Sequence, residues 1–280
     1  MLTSFFSSSK PATLITVLAY MTAGFILVNF KHFDGQILTG LGLWFLFVAT
    51  MFILNFVVQK NELTKRTSYR IILFAAFTLS IPQALQVPEI LISGVCVMLA
   101  IRRTLSFRSG LHMERKLFDA GFWLSISILS FFWSWLFCFV LVVALVFYGA
   151  GKVRYWLVPL LGMVCVGIFT MCYTLYKGGD ASVLLDIIDA ISFDFSRYSQ
   201  LKILIPIAFI ISLVLWTLWS YSKEYQKAAL SQRPLFVLIL LMLVAAVGVI
   251  LLAPDKSGAE WYLFGSPVSI IVARLMESAT

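Results

Sequence analysis

Few residues of this chain are of types that could do chemistry, because only 12% of its residues are charged. We expect six of them to meet at one membrane surface. Two are candidate catalytic acids, Asp34 and Glu89. Four are candidate substrate-binding residues, namely Asp186, Asp189, Arg197 and Lys202. A carboxylate at such a surface could act as a general base toward a sugar hydroxyl, or hold a divalent cation. Arginine and lysine could bind a lipid pyrophosphate. The alternative interpretation is that all six are solvated loop charges and interface anchors.

A second group of charges lies between residues 102 and 116, and it contains five basic residues that are candidate contacts for a lipid or a partner. These are Arg102, Arg103, Arg108, Arg115 and Lys116. Such a cluster could contact anionic lipid headgroups or the acidic tail of a partner protein. The alternative is that it only sets the orientation of the chain in the membrane. Asp119 follows directly, and we interpret it as the N-cap of the next helix.

Motifs of several enzyme classes are absent from the sequence. There is no GxxxxGK[ST] loop, no HExxH pair, and no GxSxG or GxGxxG in a strand–turn–helix context. The two histidines, His32 and His112, are far apart, and the four cysteines lie within apolar runs without a CxxC pair. The sequence therefore predicts no metal site and identifies no cofactor.

The composition predicts an all-α polytopic membrane protein, a transmembrane helical bundle forming a single integral domain over residues 1–280. Hydrophobic residues make up 61% of the chain, against about 45–50% in soluble domains. The mean hydropathy is +0.98. These values exclude a DNA-binding domain, a secreted disulfide scaffold and a cytosolic enzyme. The net charge of +8 indicates the Lys and Arg of cytoplasmic loops, and nucleic acid is not an expected partner.

The apolar runs predict nine or ten membrane segments, several of them short or re-entrant. Two runs are too long for one span. Pro82, Pro88 and Glu89 divide the first, and the aromatic cluster 131–135 divides the second. The stretch 262–273 is either a tenth span or an interfacial hairpin. The predicted segments are 11–30, 37–59, 71–85, 90–101, 118–131, 135–149, 155–176, 202–220, 234–252 and 262–273.

The distribution of Lys and Arg supports both divisions. With the N-terminus inside and both long runs treated as hairpins, most positive charges fall on one side. This predicts a multi-pass protein of a bacterial inner membrane with a cytoplasmic N-terminus. The C-terminus is also cytoplasmic if 262–273 spans.

One predicted outer segment has helical periodicity. Residues 180–195 place Asp186 and Asp189 on one side of a helix. The opposite stripe is apolar and consists of Val183, Leu184, Ile187, Ile188 and Ile191. This pattern predicts an amphipathic helix that lies on the outer membrane face with an acidic polar side.

Two stretches, 87–103 and 115–123, together with the opening residues 1–6, resemble an uncharacterised family of inner-membrane proteins from Bacteroidota over most of the chain. That family implies no activity. The same region also resembles, more weakly, the C-type glycosyltransferases, in which a proline-led short helix ends in paired arginines and a short apolar helix returns outward. Those enzymes use polyprenyl-phosphate-linked sugars, and their catalytic acid usually lies in the first outer loop, where this chain has Asp34. The departure is that this loop has only about six residues and no large outer domain follows.

Three functional hypotheses result. The first is transfer or polymerisation of a lipid-linked sugar in envelope biogenesis, with a polyprenyl-phosphate-linked substrate. The second is a non-catalytic membrane subunit or scaffold of an envelope or secretion complex, which binds membrane lipids and a partner of that complex. The third is a lipid or glycan flippase, although the helix centres lack the charged residues that transporters usually need.

Overall fold

The fold is a bundle of α-helices, as its composition predicts. The computed structural model describes residues 6, 11–30, 37–65, 67–149, 151–179 and 188–278. Over these residues it has ten α-helices, four short 3-10 turns and no strand. Six helices are long and apolar enough to cross a membrane, namely α1, α2, α4, α7, α8 and α9. In chain order the helices are α1 (Pro11–Asn29), α2 (Ile37–Lys60), α3 (Tyr69–Ser80), α4 (Pro88–Leu105), α5 (Met113–Ser130), α6 (Cys138–Tyr148), α7 (Val153–Tyr176), α8 (Leu201–Lys227), α9 (Arg233–Leu252) and α10 (Trp261–Ser278).

Both long apolar runs are divided, which confirms the two predicted hairpins. In the first, α3 ends before Pro82, a 3-10 turn covers Pro82–Gln86, and Pro88 opens α4. A residue that precedes proline is pushed out of the helical region, and Ile81 accordingly has φ −128° and ψ 77°. In the second, the helix stops at Phe131, which is extended, and a 3-10 turn over Phe132–Phe137 leads into α6.

The segment predicted as short or re-entrant, 90–101, is longer than expected. Helix α4 continues through the paired arginines to Leu105, so its 18 residues extend about 27 Å. The helix continues past both arginines because each side chain contacts a residue of a neighbouring helix. Arg102 lies over the ring of Phe56 at 4.6 Å, and Arg103 pairs with Asp119 at 2.8 Å. Asp119 is therefore not a helix N-cap, since α5 already begins at Met113.

The predicted amphipathic helix over 180–195 is wrong for its second half. Residues 188–195 are described and have no helical structure, and a 3-10 turn follows over Ser196–Ser199. Ile188 and Ile191, expected on the buried stripe, are both exposed. Residues 180–187, including Asp186, lie outside the described residues.

The C-terminal stretch forms a complete helix rather than a hairpin. Helix α10 packs against α3, α8 and α9, and nearly all of its residues from Trp261 to Ala273 are buried. Its Tyr262 ring lies 5.9 Å from Phe74 of α3, and it occupies the space left by Gly94 of α4, where a Cβ atom would clash with the ring. The last helix of the chain is thus a central helix of the bundle.

The connections collect at two ends of the bundle. The Glu89 end carries the breaks after α3 and α5, residues 188–199 and the turn 253–260. The Lys65 end carries the turn after α2, the connection 106–112, the α8–α9 turn and the C-terminal part of α10. This grouping agrees with the predicted outer and inner segments, and most of the described Lys and Arg lie at the Lys65 end. The orientation in the membrane stays a prediction.

Candidate functional site

Three of the residues predicted from sequence as site residues meet in one cavity at the Glu89 end. Glu89 comes from the first turn of α4, and Asp189 and Arg197 come from the segment between α7 and α8. Asp255, in the α9–α10 turn, adds a third carboxylate. The cavity has a volume of about 500 Å³, and Ser130 and Ser257 also line it. We call it the Glu89-end cavity.

A buried carboxyl group, that of Glu260, holds together two of the segments that line this cavity. Glu260 is 1% exposed and accepts hydrogen bonds from the Tyr198 hydroxyl and from the Gly258 N–H at 3.0 Å. Gly258 has φ +95°, so it makes the tight turn that points its N–H at the carboxylate. Burial raises the pKa of Glu260 above its ordinary value, and the bonds from Tyr198 and the backbone partly offset that rise. Burial, and next the neighbouring Glu260 charge, raise the pKa of Tyr198.

Lys256 fastens the same turn to α9. Its ammonium donates to the carbonyl oxygens of Ile250 and Leu251, at 2.7 and 2.8 Å, and lies 4.9 Å from the Phe195 ring. A cation at a helix C-terminus satisfies carbonyls that have no helical partner. Burial lowers the pKa of Lys256, while Glu260 acts in the opposite direction.

An apolar groove runs along the membrane-spanning part of the bundle next to this cavity. It lies between α8 and α9, has a volume of about 530 Å³, and is lined in that part by side chains such as Ile207, Ile211, Val244 and Val247. At the Glu89 end Phe195, Tyr198 and Trp261 close it. Tyr198 therefore lines the groove, and Arg197, the residue before it, lines the Glu89-end cavity.

The arrangement can bind an amphiphile and act on its polar part. Arg197 can hold a phosphate by paired hydrogen bonds. Glu89 can accept a proton at the cavity wall. Among the described residues no three His, Cys, Asp or Glu side chains could hold a metal ion together. The three carboxylates are thus separate groups around the cavity rather than a preformed metal cluster.

Of the remaining predicted outer residues, the structure describes only Lys202, which does not line this cavity. Lys202 lies in the first turn of α8 and is exposed, away from the cavity lining. Asp34 and Asp186 lie outside the described residues. The structure therefore brings together Glu89, Asp189 and Arg197 and leaves Lys202 apart.

The predicted basic contact residues lie at the opposite end, where contacts within the chain occupy several of them. Lys116 donates to the Ser106 carbonyl at 2.7 Å and to the Ser109 hydroxyl at 2.6 Å. With Arg102 over Phe56 and Arg103 on Asp119, only Arg108 and Arg115 of the five are exposed.

Sequence reasoning missed the acids of the α9–α10 turn. Asp255 and Glu260 stand in a short polar stretch between two apolar helices, which has the pattern of a solvated loop. The available signal was the spacing of Lys256 and Glu260, opposite charges four residues apart directly before an apolar run. Nothing in that spacing shows that Glu260 is buried.

Comparison with known proteins gives one family-model match, "Family of unknown function (DUF6427)", over residues 6–280. No curated protein and no solved structure matches the chain.

Proposed function

Since the chain belongs to DUF6427, a family of unknown function, we propose its function from its own site. It is an integral membrane protein that binds a lipid-linked substrate at the Glu89 end and transfers the polar group of that substrate to an acceptor. The substrate class that fits is a polyprenyl-phosphate-linked sugar of the cell envelope. The protein is then a transferase or polymerase-like enzyme of a bacterial inner membrane, with the Glu89 end facing outward.

One observation carries the proposal. A polar cavity containing Arg197 adjoins an apolar groove containing Tyr198, so the two compartments meet within one residue of each other. A lipid-linked phosphate is amphipathic in the same way, since its chain is apolar and its phosphate is anionic. The groove lies between membrane-spanning helices and has an apolar lining, which suits a lipid chain. The long chain would lie between α8 and α9, and the phosphate would meet the Arg197 guanidinium.

The carboxylates define what could happen to the bound group. Glu89 would take the proton from an acceptor hydroxyl as its oxygen attacks the sugar carbon that is attached to the phosphate. The carbon–oxygen bond to the phosphate then breaks, and the phosphate keeps the electron pair and stays on the lipid. Arg197 would stabilise the charge that the leaving phosphate gains. Asp189 and Asp255 would orient the sugar hydroxyls.

The lipid part of the proposal is tested by native mass spectrometry of the purified protein with an added polyprenyl phosphate. We expect Arg197→Gln to weaken lipid binding about tenfold or more, because a charge-assisted hydrogen bond contributes roughly 1.5–3 kcal/mol. Lys202→Gln is the matched control, since it removes one exposed positive charge outside the cavity. Equal binding by wild type and Arg197→Gln would overturn the proposal.

A second variant, compared for lipid binding and for activity in cells, separates an enzyme from a lipid-binding subunit. Glu89→Gln should keep polyprenyl phosphate binding but abolish envelope glycan production in cells that depend on the protein. If that variant supports normal glycan production, Glu89 is not the base, and a non-catalytic role at the same lipid site becomes the better account.

A further inference from the structure

A second cavity, at the Lys65 end, is independent of the site described above. It has a volume of about 530 Å³ and lies between the turn after α2, the C-terminal end of α8 and the last turns of α10. Its charged lining consists of three cations and three carboxylates: Lys65, Lys227, Arg274, Glu62, Glu224 and Glu277. We call it the Lys65-end cavity.

Three of these six charges build the cavity wall. Glu277 accepts the Lys65 N–H at 2.8 Å and the Thr67 hydroxyl, and the Lys65 ammonium donates to the Glu277 carbonyl at 2.7 Å. Arg274 donates to the Leu63 carbonyl, and its guanidinium lies 3.8 Å from the centre of the Phe236 ring. These contacts fix the C-terminal part of α10 against the turn after α2.

The other three charges remain available to a ligand. Within the described part of the chain, the side chains of Glu62 and Lys227 make no hydrogen bond or ion pair. Among the described residues Glu224 makes an ion pair with Arg274, at 3.6 Å, which is too long for a hydrogen bond. The Gln232 amide lines the cavity as well. An ammonium, a carboxylate and a loosely paired carboxylate thus share one open space.

The position of the cavity along α8 corresponds to the outer edge of the headgroup layer of a bilayer. Trp216 and Trp219 are 74% and 71% exposed, and the Lys223 ammonium lies 5.3 Å from the Trp219 ring. Exposed tryptophans of this kind mark the membrane interface. At 1.5 Å per residue, Glu224 lies about 8 Å and Lys227 about 12 Å beyond Trp219 along the helix axis. Since the headgroup region is roughly 5–8 Å thick per leaflet, Glu224 falls at its outer edge and Lys227 about 4 Å beyond that edge.

The balance of charge selects among headgroups. An anionic headgroup would face three carboxylates in this cavity. A headgroup that joins a phosphate to an ammonium meets a complementary charge on both sides, because cations bind phosphate and carboxylates bind ammonium. We propose that the Lys65-end cavity binds the zwitterionic headgroup of a phospholipid, with its phosphate against Lys227 and its ammonium against Glu62 and Glu224.

The test places the full chain in nanodiscs of equal parts phosphatidylethanolamine and phosphatidylglycerol and identifies retained lipid by native mass spectrometry. Wild type should retain phosphatidylethanolamine in preference to phosphatidylglycerol. Lys227→Gln combined with Glu62→Gln should reduce that retention about tenfold, since both substitutions remove charged ligands of the headgroup. Lys223→Gln is the matched control on the same helix and should behave as wild type.

Two results would overturn the proposal. One is equal retention of the two lipids by wild type. The other is unchanged retention by the double variant, whose exposed positions leave folding intact. Displacement of the retained lipid by soluble phosphoethanolamine, but not by glycerol phosphate, would support headgroup recognition, and the reverse order would contradict it.

Discussion

Glu260 is the residue on which the geometry of the Glu89-end cavity depends most. Its carboxyl group joins the segment carrying Arg197 to the α9–α10 turn carrying Asp255, through Tyr198 and Gly258. Removing a buried acceptor costs the desolvation of every donor left unpaired, about 1–3 kcal/mol for each such group. The position of Arg197 therefore depends on Glu260, although Glu260 does not line the cavity.

The raised pKa of Glu260 predicts a pH-dependent stability with a definite sign. Folding favours the protonated form of a carboxyl group whose folded-state pKa lies above its unfolded value, so this contribution is complete below about pH 4.5. It is lost as the pH rises through the raised folded-state pKa. We expect Glu260→Gln, which mimics the protonated form, to gain stability relative to wild type over that rise, as followed by thermal unfolding in detergent at a series of pH values.

Asp255→Asn is the control for this prediction, because it neutralises an exposed carboxylate in the same turn. It should keep the pH dependence of wild type. Parallel pH profiles for wild type and Glu260→Gln would show that Glu260 does not titrate as its burial implies.

At the scale of elements, the contact between α5 and α7 depends on two glycines. A Cβ atom at Gly121 of α5 would collide with the Pro159 carbonyl oxygen of α7, and one at Gly162 of α7 would lie 2.5 Å from the Phe118 carbonyl oxygen. The backbones of the two helices therefore touch directly, as small residues allow in membrane helix pairs. Backbone atoms cannot move aside as a side chain can, so any substitution must separate the helices.

Alanine substitutions at two glycines of α7 should differ in effect, because only Gly162 lies at the contact with α5. Gly162→Ala should destabilise the protein by roughly 1–3 kcal/mol through overpacking, read as a lower midpoint of thermal unfolding in detergent. Gly167→Ala is the matched control on the same helix, with nothing within 4 Å of the added methyl group. It should be neutral or slightly stabilising, because alanine favours a helix over glycine. Equal destabilisation by both substitutions would contradict the close packing of α5 on α7.

The elements were largely predictable from sequence because prolines and apolar run lengths act locally. Pro82 and Pro88 mark one break, the aromatic cluster 131–135 marks the other, and the distribution of positive charges supports both. The failures have long-range causes. Helix α4 passes Arg102 because Phe56 of another helix receives its side chain. Ile188 and Ile191 are exposed in a segment without helical structure, so the helical periodicity alone misplaces them.

For the candidate site, sequence identified three charges of the cavity but not their support. Glu89, Asp189 and Arg197 could be selected because they are rare ionisable residues in predicted outer connections. Glu260 has the same composition signal, yet its role depends on its burial and on the hydrogen bond from Tyr198, which is distant in sequence. Asp34 stays a prediction, since it lies outside the described residues.

At the scale of the whole molecule, the bundle is polar at two ends and apolar between them. The Lys65 end holds most described cations, which by the positive-inside rule predicts that it faces the cytoplasm. The Glu89-end cavity would then open on the outer side, beside a groove that runs into the bilayer. A substrate whose lipid chain stays in the membrane could reach this cavity laterally through the groove.

The most direct measurement is photo-cross-linking of the purified protein with a polyprenyl phosphate that carries a diazirine on its chain. The account predicts cross-links concentrated in the groove, on residues such as Ile211 of α8 and Val244 of α9, and lost on adding unlabelled polyprenyl phosphate. Cross-links spread equally over the exposed surfaces of α2 and α7, and insensitive to unlabelled lipid, would contradict a lipid-substrate site between α8 and α9.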